Sequence, residues 1–144
     1  MPKLTHSETT RFSKQQIFDL VADVPSYPDF IPWCLAARVI EQESEQVFLA
    51  ELVIGFKGIT ERYTSRVTLD PYKGIRAEMV SGPFHHLIND WQFRDVEDGR
   101  TEIHLDLDFE FRGSLLNRVI GGVFGKASSK MISAFRERAN ALYS

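Results

Sequence analysis

Ile103, Leu105, Leu107, Phe109 and Phe111 alternate strictly with Glu102, His104, Asp106, Asp108 and Glu110, and no other feature of the sequence restricts its fold as much. Successive side chains of an extended strand point to opposite faces, so this run has one dry face and one wet, acidic face. The same period appears upstream. Phe48, Ala50, Leu52, Ile54 and Phe56 form one run; Ile59, Tyr63, Val67 and Leu69 share a face against Thr60, Arg62, Thr64, Arg66 and Thr68. Ile75, Ala77 and Met79 continue the pattern, followed by Leu87, Trp91 and Phe93. Turn-forming residues separate the runs at 43–45, 55–58, 70–74, 81–83 and 98–99. The span from about residue 35 to 111 therefore predicts roughly six consecutive antiparallel strands joined by short connections.

The flanks read differently. Residues 4–12 form a first strand of weaker alternation. Ser13 with Gln16 then fits a capping box, in which each side chain satisfies an orphan backbone N–H of the other. Ile17, Phe18, Val21 and Ala22 follow at helical spacing, and Pro25 stops the helix because the residue before a proline is pushed out of the α region. Pro25, Pro28 and Pro32, interleaved with Tyr27, Phe30 and Trp33, predict a stiff aromatic segment, either a short helix or a structured turn. After Gly113, Ser114 caps a final helix on which Leu116, Ile120, Val123, Ala127, Met131, Phe135 and Leu142 recur every three or four residues. At about 28 residues and roughly 42 Å it is long enough to cross the concave face of a twisted sheet.

Composition fits one domain over 1–144: the chain has 144 residues, 43% of them hydrophobic and 26% charged. A chain of this length buries roughly 68% of the surface it exposes when unfolded, so a core forms without disulfides. Cys34 is the only cysteine, which excludes an internal disulfide framework and suits a reducing compartment; a cytoplasmic location is the expectation. The N-terminal residues have neither the apolar stretch of a signal peptide nor the Arg- and Ser-rich make-up of an import leader. Net charge is −3, with 17 Lys+Arg against 20 Asp+Glu, which argues against binding nucleic acid through the whole surface. Six of the basic residues (Arg112, Arg118, Lys126, Lys130, Arg136, Arg138) fall in the last 33 positions, where Glu137 is the one acid. This basic segment is able to dock on the acidic body or to meet an anionic surface such as a membrane.

Motifs for catalysis do not emerge. Gly125-Lys126 fails as a phosphate loop, since Ile120 stands where its first glycine belongs and Ala127 where Ser or Thr would bind magnesium. His85 and His86 are adjacent, so on a strand they diverge and cannot share a metal ion; His6 and His104 are isolated. No metal site is expected. Asp106 and Asp108 face one way on a polar strand face and read as solvated, and Cys34 reads as a buried apolar thiol. What stands out is apolar. Gly121, Gly122 and Gly125 weaken the final helix, and either close contact with the sheet or space for a ligand accounts for them. The candidate lining of such a space is Trp33, Phe56, Tyr63, Met79, Phe84, Trp91, Phe93, Leu107, Phe109, Leu116, Ile120, Phe124, Met131 and Phe135. Methionine and aromatic side chains suit an adaptable apolar pocket. The one inner polar neighbourhood nominated for chemistry is Tyr63 or Arg66.

Tyr27-Pro28-Asp29-Phe30-Ile31-Pro32-Trp33-Cys34, the following meander with Gly82-Pro83-Phe84 and Trp91-Gln92-Phe93, and the long last helix resemble the coenzyme-Q-binding START-domain proteins of the polyketide cyclase/START (SRPBCC) superfamily. The resemblance covers about residues 3–142. It extends equally to the ribosome association toxin proteins of the same subgroup. It implies an α+β helix-grip fold, START/Bet v 1-like, with about seven antiparallel strands wrapped around the C-terminal helix and two short helices after the first strand. It also implies an apolar tunnel holding the polyprenyl tail of ubiquinone, in a non-catalytic carrier or chaperone with no cofactor. The mitochondrial relatives carry a leader that this chain lacks, so the bacterial form is expected. Two alternatives stand beside it: a toxin that binds the large ribosomal subunit and blocks subunit joining, its basic helix on RNA phosphates, and a cyclase-like enzyme.

Overall fold

A computed structural model describes residues 3–56, 58–112, 126 and 130–143. In order they form β1 (Lys3–Thr10), α1 (Lys14–Ala22), a 3₁₀ turn (Val24–Asp29), β2 (Cys34–Gln42), β3 (Val47–Phe56), β4 (Ile59–Asp70), β5 (Gly74–Ser81), β6 (Phe84–Asp95), β7 (Thr101–Phe111) and α2 (Met131–Tyr143). One antiparallel sheet holds all seven strands in the order β1-β7-β6-β5-β4-β3-β2. After β1 the chain crosses to the far edge through α1 and the 3₁₀ turn, then meanders back strand by strand until β7 lies beside β1.

Local chemistry accounts for the start of this path. Ser13 Oγ accepts from the Gln16 N–H at 3.1 Å, and Gln16 Oε1 accepts from the Ser13 N–H at 3.0 Å, which closes the capping box of α1. The helix buries Ile17, Phe18, Leu20 and Val21 on the sheet side, and Pro25 enters the first turn of the 3₁₀ segment, where a missing N–H costs nothing. The proline-rich stretch is thus a 3₁₀ turn, anchored by the Tyr27 hydroxyl donating to the Val21 carbonyl.

Alternation places the inner face as the period dictates. Phe48, Ala50, Leu52 and Ile54 of β3 are buried, as are Ile103, Leu105, Leu107 and Phe109 of β7. Register carries these faces across the sheet in rows. One runs Phe48, Val67, Ala77, Asn89, Leu107, Leu4; its neighbour runs Leu69, Ile75, Trp91, Leu105. Register shifts at Cys34/Ala36 and Thr64/Ser65 increase the local twist and help the sheet curl around its contents.

The core has two parts. The larger joins α1, the 3₁₀ turn, Trp91, Phe93 and the Ile132, Phe135 and Ala139 stripe of α2; the smaller holds Ile54, Phe84, Leu87, Leu107 and Phe109. Trp33 and Tyr63 pack against both. On α2 the buried stripe differs in one place from the spacing read in sequence: Leu142 is 51% exposed, because the helix turns Ala139 and not its last leucine to the core. The first part of the expected final helix, from Ser114, lies outside the described residues, as do Gly121, Gly122 and Gly125.

Candidate functional site

The two core clusters meet at a cavity of about 70 Å³. Val24, Tyr27 and Ile31 cover it from the 3₁₀ segment, Met131 from α2, and Trp33, Cys34, Leu52 and Ile54 from the β2 edge. Its floor is the sheet: Tyr63, Ser65 and Val67 of β4, Ile75 and Ala77 of β5, Asn89 and Trp91 of β6. Among the described lining residues none bears a carboxylate, ammonium or guanidinium group.

The lining groups able to ionise are held neutral. Burial pushes the Cys34 thiol up to about 11, against a weaker lowering effect of the Ala36 backbone. Burial likewise raises Tyr27 and Tyr63 above the ordinary phenol range, reinforced at each by its neighbours, Cys34 among them. None of the three therefore titrates near neutral pH, where a general acid or base must exchange its proton. The described lining is suited to an uncharged, mainly apolar molecule.

Of the residues singled out in sequence, Trp33, Tyr63, Trp91 and Met131 line this space. Phe93 and Phe135 lie one layer behind: Phe93 stands beside Trp91, and Phe135 packs edge-on to Trp91, Tyr27 and Phe30. Phe84, Leu107 and Phe109 are in the smaller cluster with Met79 against it, and Phe84 meets Tyr63 at 5.7 Å between ring centres. Leu116, Ile120 and Phe124 lie outside the described residues, and Phe56 outside the described side chains. Arg66 is not an inner residue. Three positions from Tyr63 it falls on the opposite strand face, and it pairs there with Glu43 at 2.9 Å.

Reading by aromatic content missed Ser65 and Asn89. Their signal was the period itself, since Ser65 lies between Tyr63 and Val67, and Asn89 between Leu87 and Trp91, on inner faces. Gly82 was likewise legible only as a turn residue. Its φ is +152°, and a Cβ there would stand 2.5 Å from the Cβ of Tyr63, so the glycine allows the β5–β6 turn to support the cavity wall.

The outer face carries a second constellation. Ser7 Oγ lies 2.6 Å from His104 Nδ1, His104 Nε2 lies 3.2 Å from Asp106 Oδ2, and Thr5 donates to Asp106 Oδ1 at 2.9 Å. His86 meets Asp108 at 2.7 Å. These are polar contacts on the wet side of β1, β7 and β6, between strands except for His104–Asp106 within β7, and Thr5, Asp106 and Asp108 border a groove open to water. Among the described residues no group of three His, Cys, Asp or Glu side chains is placed to hold a metal ion.

Three arginines of the basic C-terminal segment have partners in the body of the chain. Arg136 pairs with Glu8, Arg138 stands 3.8 Å from Asp29 and 5.4 Å over the Phe30 ring, and Arg112 donates to the Phe84 carbonyl at 3.0 Å. These three side chains thus have partners within the chain, the intramolecular docking that the sequence leaves open beside contact with an anionic surface. No helix among the described residues is long and apolar enough to cross a membrane.

A seven-stranded antiparallel sheet with a C-terminal helix and short helices after the first strand, closed on a hollow whose described lining is uncharged, defines the START/Bet v 1-like helix-grip class. The chain belongs to the polyketide cyclase/START (SRPBCC) family: residues 11–136 match the family described as "Polyketide cyclase / dehydrase and lipid transport". Among its relatives is the ribosome association toxin RatA of Pseudomonas aeruginosa, 39% identical over 132 residues, 92% of this chain and 91% of the relative. Another is the mitochondrial coenzyme Q-binding protein COQ10 homolog B of Xenopus laevis, 32% identical over 96% of this chain and 58% of the relative. The Zhui aromatase/cyclase of Streptomyces sp. R1128 shares the fold, with a TM-score of 0.85 over 96% of this chain and 93% of the other, at 20% identity.

Proposed function

We propose that this protein binds a polyprenyl quinone without chemical conversion, as a carrier or chaperone serving respiration and quinone biosynthesis. The observation that carries this reading is the uncharged cavity between Trp33, Tyr63 and Trp91, at the seam of the two core clusters. The 32% identical relative named for coenzyme Q binding supports it. Binding is driven by removing apolar surface from water, at roughly 25 cal/mol per Å². At about 70 Å³ the cavity is smaller than the roughly 150 Å³ that admits benzene, so a ring enters as the lining yields. Met131, unbranched and half-buried in the lining, is the side chain best able to move.

A second reading is favoured by the relatives named ribosome association toxin, of which the Pseudomonas protein is 39% identical. In it the protein binds the large ribosomal subunit and blocks subunit joining. The inward pairing of Arg136 and Arg138 weighs against phosphate contacts through that stretch of helix. A cyclase reading has less support, since the described lining contains no group that titrates near neutral pH.

Lipid extracted from the purified protein and identified by mass spectrometry tests the first reading, and a long-tailed quinone is the expected result. Ordinary phospholipid alone, or no lipid, rejects it. Sucrose gradients of ribosomes with and without the protein test the second: loss of joined ribosomes supports the toxin, and an unchanged profile removes it.

A further inference from the structure

Asn89 stands where the pattern of its strand calls for an apolar side chain. In its row across the inner face the other members are Phe48, Val67, Ala77, Leu107 and Leu4. The asparagine lines the cavity floor, and its Oδ1 is buried with no hydrogen-bond partner among the described residues. A buried acceptor left open is costly, whereas a leucine of similar size would occupy the place without that cost. Ala77, its neighbour in the row, is small and leaves room beside the amide. These facts together point to a ligand atom that completes the amide.

We propose that Asn89 anchors the ligand's head group at the sheet floor by accepting a hydrogen bond from an aromatic hydroxyl, so that the cavity prefers the reduced hydroquinone to the quinone. The inference rests on the reading of the cavity as a polyprenyl quinone site and adds to it an orientation and a redox preference. The head group lies against the sheet floor, with the tail directed away from it. A hydroquinone brings hydroxyl donors to Oδ1. A quinone brings only carbonyl oxygens, which face Oδ1 as acceptor against acceptor. One hydrogen bond made by one form and denied to the other corresponds to about tenfold in affinity.

Calorimetric titration under anaerobic conditions, with decyl-ubiquinol, decyl-ubiquinone and decylbenzene, tests this on the wild-type chain and on Asn89→Leu. The expected result is a wild-type preference of about tenfold for the quinol, abolished in the variant, with decylbenzene bound equally well or better by Asn89→Leu. Equal binding of the two redox forms by the wild type overturns the proposal and leaves the amide to a bound water. Tighter binding of the quinone overturns it as well, since a rotated amide presents its N–H groups to a carbonyl. So does a preference that survives in Asn89→Leu. Should that variant not fold, the wild-type Asn89 side-chain amide resonance decides: it shifts with decyl-ubiquinol and not with decylbenzene, and an unmoved resonance overturns the anchor. A wild-type chain that binds none of the three probes rejects the quinone reading itself, whereas binding without redox preference rejects only the anchor.

Discussion

Trp91 on β6 and Phe135 on α2 meet edge to face, with ring centres 5.1 Å apart and planes at 78°. Phe135 is fully buried and also receives the edges or faces of Tyr27 and Phe30, at 5.3 and 5.1 Å. One side chain thus fixes the C-terminal helix, the 3₁₀ turn and the sheet to each other, and the cavity wall formed by Trp91 rests on it.

Phe135→Ala removes this shared contact and leaves a void that three elements cannot all close. The expected loss is about 3–5 kcal/mol of unfolding free energy, read from the urea midpoint at unchanged slope. A loss below about 1 kcal/mol would show that the helix is held by other contacts.

Trp91→Ala acts on the wall itself. Retention of quinone, measured by mass spectrometry of lipid extracted from equal amounts of protein, is expected to drop, while the far-ultraviolet circular dichroism at low temperature stays close to that of the wild type. Undiminished retention would mean that the ligand lies elsewhere.

Gly82→Ala places a methyl group against the Tyr63 Cβ, in a backbone conformation that L side chains rarely adopt. Overpacking of this kind costs about 1–3 kcal/mol, and the push on Tyr63 should lower ligand affinity in the same variant. If both thermal midpoint and affinity are unchanged, the contact between turn and cavity carries no energetic weight.

Cys34 gives a pH-dependent signature. Its thiol is pushed up to about 11 by burial, so at pH 8 the folded protein alkylates with iodoacetamide far more slowly than the same chain in urea, and the rate keeps rising toward pH 11. The sign for stability follows. Between the ordinary thiol value of 9.0 and about 11 the native state holds a proton that the unfolded chain has lost. Rising pH across that window therefore removes stability, and Cys34→Ala should flatten the decline. Fast alkylation at pH 8 would place the thiol in solvent.

How much was legible in the sequence differs from residue to residue for physical reasons. Ser13 and Gln16 declare their capping box because the interaction is local, three residues apart. The strands declare their faces because a period of two depends only on backbone geometry, and β7 follows its alternation from Ile103 to Phe109 without exception. Tyr63 and Trp91 stand out by bulk and by inner-face position, and Trp33 as an aromatic of the proline-rich segment. Position along one strand does not say which large side chains border a void and which fill a core, so Phe84, Phe93 and Phe109 read the same as Trp91 until the strands are stacked in register.

The meander and its inner and outer faces are legible in the chain because each is written in spacing along a single segment, and the family resemblance because its motifs are read residue by residue. The tertiary structure settles the rest: that Trp33 and Tyr63 bridge two core clusters, that Arg136 and Arg138 pair with Glu8 and Asp29, and that Asn89, in an otherwise apolar row, holds an oxygen with no partner among the described residues. Those features join residues from strands and helices far apart in the chain. Their energies come from burial and pairing, which exist only after the elements have closed on one another.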